Sequence, residues 1–171
     1  MSAGNEPLPI LEQRRIEARV IKPIYDEMVA RLGVETAQAI LGAAIEKAAI
    51  AQGRSFAEAS GGNLGLDGFA DIQRHWTAGG ALEIEHVDRG ADRLDFNVTR
   101  CRYSEMYREM GLGEIGHLLS CGRDGTFCQG FDPRITLERT QTIMGGATHC
   151  DFRYRFEPEA VEAGTDGSAT G

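Results

Sequence analysis

The segment ALEIEHVDRGADRLDFNVTRC, residues 81–101, decides the fold. Apolar and polar residues alternate in ALEIEHV and again in DRLDFNVTRC, with an Asp- and Gly-containing turn between them. This pattern predicts two antiparallel strands joined by a turn. Downstream, two short helical pieces are expected at about 103–110 and 113–121, separated by Gly111. The stretch GRDGTFCQGFDP (122–133) reads as a loop from its Gly, Asp and Pro content. RITLERTQTIM (134–144) and THCDFRYRF (148–156) alternate again and flank the turn GGA, giving two more strands. Upstream the period changes. Ile16, Val20, Ile24, Met28 and Leu32 recur at helical spacing, with Pro23 predicting a kink or two abutting helices and Gly33 a stop. A second helix is predicted from about Glu35 to Ala51, with Ala37, Ile40, Leu41, Ala44, Ile45 and Ala48 inward and a continuation over Arg54–Ser60 after Gly53. GGNLG (61–65) reads as a loop, and a short helix carries Phe69, Ile72 and Trp76. The expected fold is α+β: N-terminal helices packed with an antiparallel four-stranded sheet interrupted by two short helices. The expected organisation is a leader over 1–8, a single domain over 9–157 (helical part 9–79, sheet part 80–157) and a disordered tail over 158–171.

The chain has 171 residues, which suits one domain with a proper core. Its formal net charge of -8 argues against a nucleic-acid partner, because phosphate contacts need clustered Lys and Arg. No stretch is apolar and long enough to span a bilayer, and the start MSAGNEPLPILEQRR lacks a basic-then-apolar signal pattern. A cytoplasmic protein with no membrane partner is the expectation, and four cysteines there need not form two disulfides. No Gly-rich phosphate loop follows a strand, so a dinucleotide-binding sheet is not expected.

All four cysteines fall between Cys101 and Cys150. Alternation sorts the strands by face. Leu94, Phe96 and Val98 share one face of their strand; Asp95, Asn97, Thr99 and Cys101 share the other. Cys150, Phe152, Tyr154 and Phe156 oppose His149, Asp151, Arg153 and Arg155. The polar face is either solvent-facing or a polar pocket roofed by the N-terminal helices. Cys101 ends a strand on the polar register where a helix begins. A helix start and the neighbours Arg100 and Arg102 would lower its pKa below the free value of about 8.5 and make it a nucleophile; the alternative is a half-buried structural thiol. Cys101 would then be alkylated before Cys128.

His117 lies one helical turn before Cys121, and Asp124 follows. With Cys101 these could bind a single Zn through mixed N, S and O donors, although the spacing matches no zinc-finger pattern. A cofactor is otherwise not required. His149 and Asp151 share a strand face and could form an oriented general base, or be a surface pair. Cys150 falls on the apolar face as core, and Cys128 is given no role. Tyr103 and Tyr107, one turn apart, are core residues with polar tips or pocket residues for a small polar ring. Arg139, beside Thr140, could grip a substrate carboxylate by a two-pronged hydrogen bond.

RCRYSEMYREMG (100–111), CGRD (121–124) and LERTQTIMGGATHCDFRY (137–154), with RRIEARVIKPIYDEMVARLG (14–33), resemble the L-2-amino-thiazoline-4-carboxylic acid hydrolases over most of residues 10–156. The family is named for opening a thiazoline ring to give an N-carbamoyl cysteine. The resemblance places Cys101, Tyr103, Cys121, Asp124, Arg139, Thr140, Cys150 and Phe152 on recurrent family positions. It implies a hydrolase opening a cyclic C–N bond in a small heterocycle of thiazoline, cyclic amidine or lactam type. Cys101, Cys121, Asp124, His149 and Asp151 would be catalytic, and Tyr103, Tyr107, Arg139 and Thr140 would bind the substrate. The order of elements also looks like the small ligand-binding vinyl-reductase-type domain. That implies the alternative of a non-catalytic sensor with a structural metal held by clustered cysteines. The alanine-rich helix Thr36–Ala51 suggests a homo-oligomer.

Overall fold

A computed structural model describes residues 8–158. The expected leader up to Pro7 and the tail beyond Pro158 lie outside the described residues. The elements run α1 (Ile10–Leu32), α2 (Val34–Ala59), α3 (Gly65–Ile72), the short α4 (Arg74–Thr77), β1 (Leu82–Arg89), β2 (Arg93–Cys101), α5 (Arg102–Glu109), a π-helical turn (His117–Cys121), α6 (Arg123–Phe131), β3 (Ile135–Glu138) and β4 (Cys150–Phe156). The strands form one antiparallel sheet in the order β1-β2-β4-β3. The fold is α+β, with the N-terminal helices and the four-stranded sheet where the sequence puts them.

The sheet uses its alternation as expected. Leu94, Phe96 and Val98 pair with Tyr154, Phe152 and Cys150, and all six are buried. Leu66 and Phe69 from α3 and Phe127, Cys128 and Phe131 from α6 cover them. A second core joins α1, α2 and α5 through residues such as Leu11, Ala37, Ile45, Met106 and Ile115. The helices therefore roof the apolar face of the sheet. The polar face, with Asn97, Asp151, Arg153 and Arg155, turns outward; there Arg153 donates to Asn97 Oδ1 and Arg155 to Asp95.

Several local expectations are corrected. Helix α1 runs unbroken through Pro23, which is exposed, so the carbonyl it leaves unpaired one turn earlier meets solvent. Its inward side is Ile10, Leu11, Arg14, Ala18 and Tyr25, while Ile16, Val20, Ile24 and Leu32 are at least half exposed. In α2, Ala37, Leu41 and Ile45 point inward with Ala49 and Gly53, but Ile40, Ala44 and Ala48 do not. Segment 123–131 is a helix rather than a loop. Its Gly130 lies against the backbone of α2, where a Cβ would come 2.0 Å from the Ile50 carbonyl oxygen. Strand β3 stops at Glu138 because the next backbone N–H groups, of Thr140 and Gln141, turn to the Asp151 carboxylate.

One buried carboxylate ties the start of α3 to the sheet. Asp132, 1% exposed, accepts from the Gly65 N–H, the Arg134 N–H and the Arg134 guanidinium. The guanidinium first, and then these backbone donors, hold its pKa below the usual 3.8. A depressed folded-state pKa contributes stability above the unfolded value, and that stability is lost as pH falls through the folded value. Asp132→Ala is expected to cost about 2 kcal/mol, because buried donors lose their acceptor. Urea titrations at pH 7 should show this loss, and the difference from the wild type should shrink below pH 4.

Candidate active site

A cavity lies between the helical layer and the apolar face of the sheet. It encloses about 80 Å³, and about 690 Å³ when its crevices and open mouth are counted. One end is aromatic, with Phe69, Trp76, Phe96, Phe127, Phe152 and Tyr154. The other is polar, with Arg14 from α1, Gln52 from α2, Ser120 from the π-helical turn and Arg123 and Asp124 from the start of α6. Tyr103 lines the wall and donates its hydroxyl to the Trp76 carbonyl, 3.1 Å away.

Asp124 stands at the polar end. Its Oδ2 accepts from Arg139 NH1 at 2.5 Å, and no described residue donates to its Oδ1. The side chain lies deep in the protein yet keeps 27% of its surface accessible, and that surface faces the cavity it lines. Burial pushes its pKa up from 3.8; Arg139, Arg14 and Arg123 pull it back only in part. Arg139 also donates to the Cys121 carbonyl at 2.9 Å and lies over the Phe152 ring, 4.9 Å from its centroid. It is thus committed to holding Asp124, and the expected grip on a substrate carboxylate is not its geometry.

Arg14 and Arg123 also line the polar end of the cavity. Arg14, 4% exposed, donates to Glu17 at 2.8 Å and to Gln52 at 2.9 Å. Arg123 donates to the Leu119 carbonyl at 2.9 Å and to Glu17 at 3.3 Å. Three guanidinium groups therefore meet two carboxylates, Glu17 and Asp124. The excess positive charge in this low-dielectric end favours an anionic ligand. The sequence carries a signal for Arg14, a cation four residues from Ile10 and four from Ala18 on the buried side of α1. Arg123 has no such signal, because its helix reads as a loop.

Cys101 is not on the polar face. Leu82 pairs with Cys101 while Ile84 pairs with Val98, so β2 carries one extra residue opposite Glu83–Ile84. A bulge shifts every later side chain to the other face, and Cys101 packs half-buried between the two cores. Arg100 turns to Glu105 and Glu83, and Arg102 to the Gly79 carbonyl. Burial therefore governs the thiol and raises its pKa to about 11. Burial likewise raises Cys121 and Cys128 to about 12 each. Cys128 is fully enclosed in α6, and Cys150 accepts from the Ile143 N–H at 3.2 Å. These are thiols, not thiolates, at neutral pH. Iodoacetamide at pH 7.5 is expected to leave Cys101, Cys121 and Cys128 unmodified until denaturant is added. Labelling of native Cys101 within minutes, read by mass mapping, would contradict this.

The remaining expected site residues are dispersed. His149 meets the Gln141 side chain, about 3.1 Å away, rather than Asp151. Asp151 accepts from Thr140 Oγ1 and from the Thr140 and Gln141 N–H groups. It pairs with Asn97, so it lies on the sheet face opposite the cavity. Thr140 is exposed and Tyr107 is fully buried core. His117 is exposed; the Gly122 N–H closes onto its carbonyl across five residues at 2.8 Å, so His117 and Cys121 do not stack as they would in an α-helix. Among the described residues, no group of three or more His, Cys, Asp or Glu side chains is arranged to hold a metal ion. The expected set of Cys101, His117, Cys121 and Asp124 does not converge.

An α+β domain with a half-open cavity, one end carrying a desolvated carboxylate among arginines, has the architecture of a small-molecule site. The chain belongs to the L-2-amino-thiazoline-4-carboxylic acid hydrolase family, whose family model matches residues 13–154. No curated protein matches it. Among solved structures it resembles the phenol-responsive sensory domain of the transcription activator PoxR with phenol, at 12% identity and TM-score 0.52 over 80% of this chain and 73% of that one. It also resembles trafficking protein particle complex subunit 3 from Naegleria fowleri, covalently bound to palmitic acid, at 10% identity and TM-score 0.52 over 85% and 96%. These likenesses establish a shared fold. No helix among the described residues is long and apolar enough to cross a membrane.

Proposed function

We propose that this protein is a hydrolase that opens a small nitrogen heterocycle, of cyclic amidine, thiazoline or lactam type, at the polar end of the cavity. The observation that carries the reading is Asp124, a desolvated carboxylate held on one oxygen by Arg139 and facing the cavity with the other. A carboxylate raised by burial is suited to both halves of a hydrolysis. As water adds its oxygen to the electrophilic ring carbon, Asp124 takes the water proton. The ring bond from that carbon to nitrogen, or to sulfur in a thiazoline, then breaks, and Asp124 returns the proton to the leaving atom. Arg14 and Arg123 hold a substrate carboxylate, and the Tyr103 hydroxyl borders the site. Cys101 and Cys121 stay protonated and take no part in the proton transfer. The experiment is ring opening by purified protein on a panel of cyclic amidines and amides that includes 2-amino-thiazoline-4-carboxylate. Absence of turnover across the panel by folded protein would reject the reading.

The second reading is a ligand-binding domain without catalysis. It draws on the aromatic end of the cavity and on the fold shared with a phenol-responsive sensory domain. Tight binding of a ring that is recovered intact after prolonged incubation would favour it. We further propose a cytoplasmic homo-oligomer. Exposed Ile16, Val20 and Ile24 on α1 supply apolar surface for self-association. Light scattering that shows a monomer at micromolar concentration would reject the oligomer.

A further inference from the structure

We propose, building on the ring-opening reading, that the substrate is an aryl-substituted heterocycle: its heterocyclic head lies between Asp124 and the Tyr154 hydroxyl, and its aryl group lies in the chamber walled by Phe69, Trp76, Phe96, Phe127 and Phe152. The first observation is the Tyr154 hydroxyl. The residue is 3% exposed and lines the cavity, and its hydroxyl has no hydrogen-bond partner among the described residues. Among the described residues, every side-chain nitrogen or oxygen that is closed off from solvent does have a partner. This hydroxyl is therefore unsealed, and its open side is the cavity. A buried hydroxyl left without a partner is costly, so the position is one that a ligand atom completes. The Tyr154 ring lies 6.0 Å from that of Phe152, over which Arg139, the partner of Asp124, is placed, so Tyr154 stands where the aromatic and polar ends meet.

The second observation is the chamber beyond that junction. Phe96 and Phe152, on neighbouring strands, stack on each other with centroids 5.0 Å apart and planes 12° from parallel. Opposite them, Trp76 meets Phe127 edge-on at 5.1 Å, and Phe69 meets Tyr154 at 4.7 Å. A small polar ring alone would leave this largely apolar volume to water, to which only Tyr154, Gln73 and Thr77 offer polar side-chain atoms among the residues lining that end. A planar apolar group displaces that water and meets ring faces and edges at favourable geometry. An apolar cavity of about 150 Å³ admits benzene. The enclosed 80 Å³ therefore takes an aryl group only by continuing into the mouth. Trp76 and Thr77, with Leu82 and Ile84 on the edge strand β1, line the cavity and are only half-buried, so they offer that continuation.

Trp76 is the single tryptophan of the chain, so its fluorescence reports occupancy of the chamber directly. Two probes sharing one head, 2-aminothiazole and 2-amino-4-phenylthiazole, are titrated against the full chain. The phenyl probe is expected to bind at least tenfold more tightly. Ile84→Phe narrows the chamber at a half-buried edge position and is expected to bring that ratio below threefold. Tyr154→Phe keeps the ring and removes the hydroxyl; it is expected to weaken both probes five- to tenfold with their ratio unchanged. Equal affinities in the wild type, or an unchanged ratio in folded Ile84→Phe, would overturn the chamber assignment. Unchanged affinities in Tyr154→Phe would overturn the placement of the head, whether or not the Ile84 variant folds. Turnover separates this inference from the reading beneath it. A phenyl preference in binding without any ring opening sinks the hydrolase and leaves the chamber standing. Ring opening that is as efficient on unsubstituted as on aryl-substituted 2-amino-thiazolines sinks the chamber and leaves the hydrolase.

Discussion

Asp124→Asn is expected to lower kcat/KM for ring opening by about 10²–10⁴-fold, the range for loss of a positioned proton-transfer group. The amide oxygen can still accept from Arg139, and Arg139 keeps the Cys121 carbonyl and the Phe152 ring, so the tie between β3 and α6 survives in altered form. What is lost is the ability to take and return a proton. The wild-type pH profile carries an independent signature. The working form is the carboxylate, and burial raises its pKa above 3.8. Activity should therefore fall as pH drops through a value higher than that of an ordinary aspartate, and the variant's residual rate should lack this acid limb. The profile of the folded variant, with its midpoint checked by thermal melting, decides the matter. Undiminished turnover in Asp124→Asn would move the chemistry away from this carboxylate.

The strands are legible in the sequence, whereas the site depends on contacts that only the fold creates. Alternation found the sheet, because each strand buries one face and a period of two survives any local detail. The faces of β4 followed directly, and Cys150 is core as its register requires. Cys101 failed for a specific reason: a single extra residue in β2 near Thr99 reverses the side on which the next side chains emerge, and nothing in the residue types announces it. The His149–Asp151 pair failed because sharing a strand face is not contact. Asp151 instead satisfies two backbone N–H groups of the chain leaving β3, a demand invisible in the sequence. Helix α6 was hidden by its glycines, which read locally as loop formers. Asp124 and Arg139 stood on positions marked by the family resemblance, but their mutual contact, across fifteen residues, comes only from the fold. Ile16, Val20 and Ile24 keep the helical period expected of them, and in α1 that period marks the outer side.

The glycines of α2 and α6 carry the second large expected effect. A Cβ on Gly53 would come 2.2 Å from the Phe127 carbonyl oxygen and 2.8 Å from the Phe131 nitrogen; one on Gly130 would come 2.0 Å from the Ile50 carbonyl oxygen. All three obstacles are backbone, so no side chain can yield, and the two helices must separate. Alanine favours a helix over glycine by about 0.8–1.0 kcal/mol, which works against the clash. Overpacking typically costs 1–3 kcal/mol, and a backbone obstacle puts these sites at the upper end. Gly53→Ala and Gly130→Ala should each destabilise by about 3 kcal/mol, lowering Tm by roughly 10 °C for a domain of this size. The two losses should not add, because one separation of the helices relieves both clashes. Gly42 supplies the internal control. It lies in the same helix, and its nearest obstacle to a Cβ is the flexible end of Leu118 at 3.5 Å, an ordinary contact. Gly42→Ala should therefore raise Tm by a few degrees through propensity alone. Opposite signs from one chemical change at two places on one helix would show that α6 approaches α2 closely enough for glycine to be required. Equal signs would mean that the helices, and with them the start of α6 where Asp124 stands, are packed farther apart.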